Sequence, residues 1–168
     1  MFYRVKQFYK ALFPSVNPLE IEWVAMTLPA KAFSIFRKQA LPEQRHALDV
    51  TKSLEIELKF LSLSPDEYQN LIFAALLHDC GKSLVQVHLW QRILIVLIDI
   101  FPLQLNDYIG AKPGHLALTL KILHYHALWG EALAKEAGLN QQICLFIREH
   151  HFPKTKLGKL LQENDNKY

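Results

Sequence analysis

The stretch Leu71-Ile72-Phe73-Ala74-Ala75-Leu76-Leu77-His78-Asp79-Cys80-Gly81-Lys82 decides how the whole chain reads. Its first half is apolar on every side, the mark of a helix buried at the centre of a globular protein. The small Ala74 and Ala75 let neighbouring helices come close, and Gly81 supplies the stop of a helix expected over residues 65–80. At the buried end stand an imidazole and a carboxylate, His78 and Asp79. Such groups need partners once they are taken out of water.

Outward from this segment, helix signals recur and strand signals hardly appear. Asn17-Pro18-Leu19-Glu20 and Ser64-Pro65-Asp66-Glu67 each place an oxygen-bearing cap first, Pro next, and Glu three residues after the cap. Pro42-Glu43 opens a helix expected over residues 42–61, along which Val50, Leu54, Leu58 and Leu61 keep a spacing of three or four. Further helices are expected over residues 85–101, 116–137 with a break near Gly130, 141–151 and 157–164, and an amphipathic first helix over residues 1–14. Gly110, Pro113 and Gly114 predict a loop, and Pro153 ends the 141–151 helix. With no internal repeat and no linker, the expectation is a single-domain, all-α helical bundle.

A hydrophobic content of 51% against 21% charged residues excludes a disordered chain and allows a generous core. A formal net charge of +3, spread along the sequence, gives no argument for nucleic acid as a partner. Cys80 and Cys144 form neither a Cys-x-x-Cys pair nor a disulfide framework, which fits a cytoplasmic protein. The most apolar run, residues 93–101, is broken by Asp99 and falls short of the roughly 20 residues of a transmembrane segment.

The eight histidines divide by helical face. His46 lies four residues before Val50 and eight before Leu54, on the core-facing stripe of its helix. His126 stands four after Ile122 and eight after Leu118, whereas His124 points the other way. His150 and His151 follow Ile147 by three and four, and Asp165 follows Leu161 by four. A lone inward histidine is more often a hydrogen-bonded core residue than a ligand. Here separate helices all aim a His or an Asp along an apolar face, and nitrogen and carboxylate donors without Cys suit borderline or hard divalent metals. Lys82, three residues beyond Asp79, is placed to neutralise a phosphate. His88, His115 and His124 read as structural or surface residues.

The order His46, His78-Asp79, Asp165 resembles the HD superfamily of metal-dependent phosphohydrolases, and His78-Asp79-Cys80-Gly81-Lys82 is similar to the His-Asp-x-Gly-Lys signature of its HDIG branch. His126-Ala-Leu-Trp-Gly130-Glu-Ala-Leu133 is similar to the His-Pro-x-x-Gly-Ala-x-Leu element of the HD-GYP-like branch, and Ile147-Arg-Glu-His150-His151 to its paired histidines. Leu160-Leu161-Gln-Glu-Asn164-Asp165 stands where the family has Leu-Leu-x-x-Ala-Asp. The chain departs from that branch after His151, reading Phe152-Pro153-Lys154 without the Gly-Tyr-Pro motif.

The resemblance covers residues 41–165 and leaves residues 1–40 as a helical extension on an HD domain over 41–168. It implies an HD-type bundle with metal in the helix core, held by His46, His78, Asp79, His126, His150, His151 and Asp165. Asp79 would bridge two divalent ions and act with Lys82 in catalysis. Manganese or iron is the first expectation, with magnesium, cobalt, nickel and zinc as alternatives. No other cofactor is implied. The implied reaction is hydrolysis of a phosphomonoester or phosphodiester, a nucleotide by preference, through attack of a metal-bound hydroxide. The alternative is a nonenzymatic nucleotide- or metal-binding sensor that keeps the pocket without turnover.

Overall fold

Two capping boxes set where the first and fourth helices of the described residues begin. In the computed structural model, which describes residues 14–84 and 115–168, Asn17 Oδ1 accepts from the Leu19 amide and Glu20 accepts from the Asn17 amide, starting α1 (Pro18–Thr27). The Ser64–Glu67 pair does the same for α4 (Pro65–Leu77), as the sequence predicts. Between them lie α2 (Ala30–Lys38) and α3 (Leu41–Leu58). After α4 comes a 3-10 turn (Cys80–Leu84), and then α5 (His115–Glu136), α6 (Gln141–Glu149) and α7 (Lys156–Asp165). No strand occurs among the described residues, so the fold is all-α.

Helix α4 is the axis of the core: every residue from Leu71 to Leu77 is buried. It packs against α3, α6 and α7, while the 3-10 turn and α6 together hold α5. Each fully buried Leu or Ile contributes about 1.5–3 kcal/mol relative to exposure, so this one helix carries a large share of the stability. Arg45 joins α1 to α3, with Nη1 2.8 Å from Glu20 and Nη2 2.9 Å from Asp49. Among the described residues no helix is long and apolar enough to cross a membrane.

Several expectations need correction. Helix α2 was not foreseen; its start has no side-chain cap, although Ala32, Ile35 and Phe36 bury one face. The expected break near Gly130 is absent, and α5 runs through it without interruption. Helix α4 ends at Leu77, three residues before the expected end, and Gly81 is not a left-handed terminator. A Cβ on Gly81 would stand 1.9 Å from the His126 carbonyl oxygen, and one on Gly130 would stand 2.9 Å from Ile147 Cγ2. Gly81 is therefore required by close packing of backbone, and Gly130 by the Ile147 side chain packed against it. Among the described residues the left-handed glycine is Gly138, at φ 82°, where the Leu139 amide donates to the Ala134 carbonyl and closes α5. The helix expected over residues 85–101, the loop at 110–114 and, apart from Pro14, the helix over 1–14 lie outside the described residues.

Candidate metal centre

Past Leu77 the chain turns into the 3-10 helix, whose Gly81 lies against the backbone of α5. That turn carries His78 and Asp79 into a space enclosed by α3, α5, the end of α6 and the end of α7. His78, Asp79, His126 and His150 are buried, whereas His46, Lys82 and Asp165 are partly covered and His151 is exposed at the rim. All eight residues singled out from the sequence are brought together here.

They form two groups. In one, His46 Nε2 lies 2.8 Å from Asp165 Oδ1 and 3.2 Å from His78 Nε2, which is itself 3.4 Å from Asp165 Oδ1. In the other, His126 Nε2 lies 3.4 Å from His150 Nε2 and 3.0 Å from His151 Nε2. Asp79 stands between: Oδ2 is 3.7 Å from His78 Nε2, and Oδ1 is 3.4 Å from His126 Nε2 and 3.9 Å from His150 Nε2. Lys82 Nζ approaches Asp79 Oδ2 to 2.6 Å. Within each of the sets His46–His78–Asp79 and His126–His150–His151, one donor atom per residue falls within 4.8 Å of the others.

The backbone fixes which nitrogen faces inward. His78 Nδ1 donates to the Ala75 carbonyl at 2.9 Å, His126 Nδ1 to Ile122 at 3.1 Å, and His150 Nδ1 to Ile147 at 2.6 Å. In the neutral rings of His126 and His150 this leaves Nε2 as an acceptor, whereas His78 Nε2 stands 3.4 Å from Asp165 Oδ1 and donates to it. His126 and His150 thus aim two acceptors at each other across 3.4 Å, and neither can donate to the other. A cation satisfies that arrangement, and orientation of the ring through the second nitrogen is how protein metal sites hold their histidines. The donor set fits divalent metal.

The electrostatics point the same way. Burial pushes His150 down, to about 3, helped by the charge of His78, so it is neutral near pH 7. Burial also lowers His126 and His151. For His78 burial pulls downward, but the charges of Asp79 and Asp165 prevail and raise it to about 8. Burial opposes ionisation of Asp79, yet Lys82 and His78 hold it well below the usual carboxylate range. Asp165 is likewise held low, against burial, by hydrogen bonds from His46 and His78. Lys82 is depressed by burial but raised overall by Asp79 and stays cationic.

Of the remaining histidines, His124 is exposed and meets the Tyr125 ring edge-on at 5.8 Å, away from the site as its helical phase predicts. His115 begins α5 with its side chain outside the described set, and His88 is outside it altogether. Sequence reasoning missed Ser53, whose Oγ donates to Asn164 Oδ1 at 2.6 Å next to Asp165. A partly covered serine on an amphipathic helix carries no signal that separates it from a surface residue.

Comparison with curated proteins and with solved structures gives no match. The family model for the HD domain matches residues 45–167, a span that holds every residue of both donor groups. The chain belongs to the HD domain family, whose members are typically metal-dependent phosphohydrolases.

Proposed function

We propose that this chain hydrolyses a phosphomonoester or phosphodiester, with a nucleotide as the leading substrate class, using two divalent cations held on either side of Asp79. The single observation that carries this reading is the division of Asp79, whose Oδ1 faces His126 and His150 while Oδ2 faces His78. On this reading His46, His78, Asp79 and Asp165 hold one ion, and His126, His150 and His151 with Asp79 hold the other. Manganese or iron fits the mixed imidazole and carboxylate donors best. When bound, such cations lower the pKa of water and neutralise charge on phosphoryl oxygens.

The chain's own groups supply the rest. Lys82 stays protonated beside Asp79 and presents fixed positive charge to a phosphoryl oxygen, so its role is electrostatic and it does not transfer the proton at neutral pH. The Ala75, Ile122 and Ile147 carbonyls keep three rings oriented, so little reorganisation accompanies the reaction. The His-Asp-x-Gly-Lys string and the paired His150-His151 support placement in the HDIG and HD-GYP-like branches. Residues 1–40 act as an extension to a catalytic domain over 41–168, a boundary supported by the start of the family match at residue 45.

The test combines metal analysis with a substrate panel. Protein reloaded separately with manganese, iron, cobalt, nickel, magnesium and zinc is offered phosphate esters, nucleotides and cyclic dinucleotides. Metal uptake together with phosphate-ester cleavage is expected. Tight nucleotide binding without turnover under every metal would replace the enzyme by a sensor.

A further inference from the structure

We propose that Ser53 and Asn164 are positioning residues that aim the Asp165 carboxylate into the metal centre, an inference that rests on the two-cation reading above. Asn164 is 0% exposed, on the inner side of α7 next to the buried Leu161. Burying a primary amide costs free energy unless its atoms find partners, so a plain space-filling role would be served better by an apolar side chain. Here both polar atoms of the amide have partners, and the Glu57 carboxylate is hydrogen-bonded to the same side chain. Asn164 Oδ1 accepts from Ser53 Oγ at 2.6 Å and from Lys167 Nζ at 2.9 Å, and Nδ2 donates to the Leu160 carbonyl at 2.9 Å.

The location gives this small network its consequence. Asp165 is the last residue of α7, in the turn where a helix frays and its backbone no longer fixes side-chain direction. Ser53 lies on α3, the same helix that supplies His46, the ring 2.8 Å from Asp165 Oδ1. One helix therefore presents both the group that Asp165 meets and the hydroxyl that anchors the residue before it. Lys167 extends the anchor beyond the helix end, pairing with Glu57 on α3 as well as with Asn164. The Asp165 carboxylate is held from both sides of its own position in the chain.

The experiment titrates the metal-stripped full chain with cobalt(II), followed by calorimetry and by the visible absorption of the bound ion. Asn164→Ala and Ser53→Ala should each weaken cobalt binding about tenfold and alter the absorption bands. Ser53→Thr, which keeps the hydroxyl, should restore both. In an Asp165→Asn background, Asn164→Ala should cost nothing further, because the carboxylate it positions has been neutralised; a role in packing alone would give additive losses. Additive losses, unchanged affinity in Asn164→Ala, or a Ser53→Thr variant as weak as Ser53→Ala each overturn the positioning role. Circular dichroism monitors folding, and if Asn164→Ala fails to fold, the Ser53 pair in the native and Asp165→Asn backgrounds decides. Wild-type protein that takes up no cobalt overturns the metal reading and this role together, whereas wild-type uptake with the outcomes above removes this role alone.

Discussion

The carbonyl oxygen of His126 sits 1.9 Å from the point where a Cβ on Gly81 would stand, so the turn after Asp79 and the middle of α5 touch through bare backbone. The same contact sets Asp79 opposite the His126 ring, at 3.4 Å. No side-chain rearrangement relieves a clash with a backbone carbonyl. Gly81→Ala should therefore cost at least about 3 kcal/mol, the upper end of overpacking effects. Gly130→Ala meets Ile147 Cγ2 at 2.9 Å and should cost less, about 1–3 kcal/mol. Urea denaturation of both variants checks the order, and a native midpoint for Gly81→Ala would refute the contact.

The proposed ligand sets predict how metal content divides. Asp79→Asn should lose both ions, His126→Ala only the ion of its own group, and His46→Ala only the other, read as metal per chain by emission spectrometry. Bound metal should also raise stability, by about 2.7 kcal/mol when free metal is one hundred times its dissociation constant. Asp79→Asn should abolish that gain. An Asp79→Asn protein that still holds two ions would remove Asp79 from between them.

Uptake of metal should depend on pH through His78. With its value raised to about 8 by Asp79 and Asp165, against the pull of burial, the metal-free site keeps a proton on this ring at pH 7. Binding at the His46, His78, Asp79 group must expel it. Affinity for metal should thus climb as pH rises toward about 8 and then level off, with proton release near one per chain at pH 7. Calorimetry in buffers of different ionisation enthalpy counts the protons; release that is independent of pH from 6 to 9 would contradict the assignment.

Much of this arrangement is legible in the sequence because it follows helical phase. His126 is four residues from Ile122 and is 2% exposed, whereas His124, two residues earlier, faces solvent. The boxes at Asn17 and Ser64 are local in the same sense, since cap and partner lie within one turn. What could not be read arises from contacts between distant segments. The early end of α4 and the straight passage of α5 through Gly130 both follow from the approach of residue 81 to residues 126 and 130. Helix α2 begins without a capping side chain, so its start carries no local mark. The Ser53–Asn164 bond joins residues 111 positions apart, and neither residue breaks the pattern of its own helix.

Glu20 ties the cap of α1 to α3 and predicts an acid-sensitive contribution to stability. Burial opposes its ionisation, but Lys52, the Asn17 amide and Arg45 prevail and hold it at about 2, against an ordinary 4.5. A carboxyl lowered in the fold stabilises fully above its unfolded value and loses that contribution as pH falls through its folded value. Glu20→Gln should cost about 1–2 kcal/mol at pH 7, from a weakened cap and a lost ion pair. The gap between wild type and variant should shrink from pH 4.5 to pH 2. Parallel stability curves across that interval would show that Glu20 is not the group responsible.

On the proposed two-cation reading, Lys82 should set metal binding and turnover against each other. Its ammonium, 2.6 Å from Asp79 Oδ2, is a resident cation beside the oxygen that faces His78. A divalent ion entering that group meets like charge, whose repulsion falls only slowly with distance where water is largely excluded. Lys82→Met keeps the aliphatic bulk and removes the charge. Metal affinity should then rise about tenfold, while hydrolysis of a phosphate ester falls about a hundredfold for want of the charge that neutralises a phosphoryl oxygen. Paired measurements of cobalt affinity and of kcat on the same preparation separate the two effects. Weaker metal binding in Lys82→Met would mean that the ammonium supports Asp79 as a ligand rather than competing for it, and would reverse the sign of the first effect while leaving the second to be judged on kcat alone.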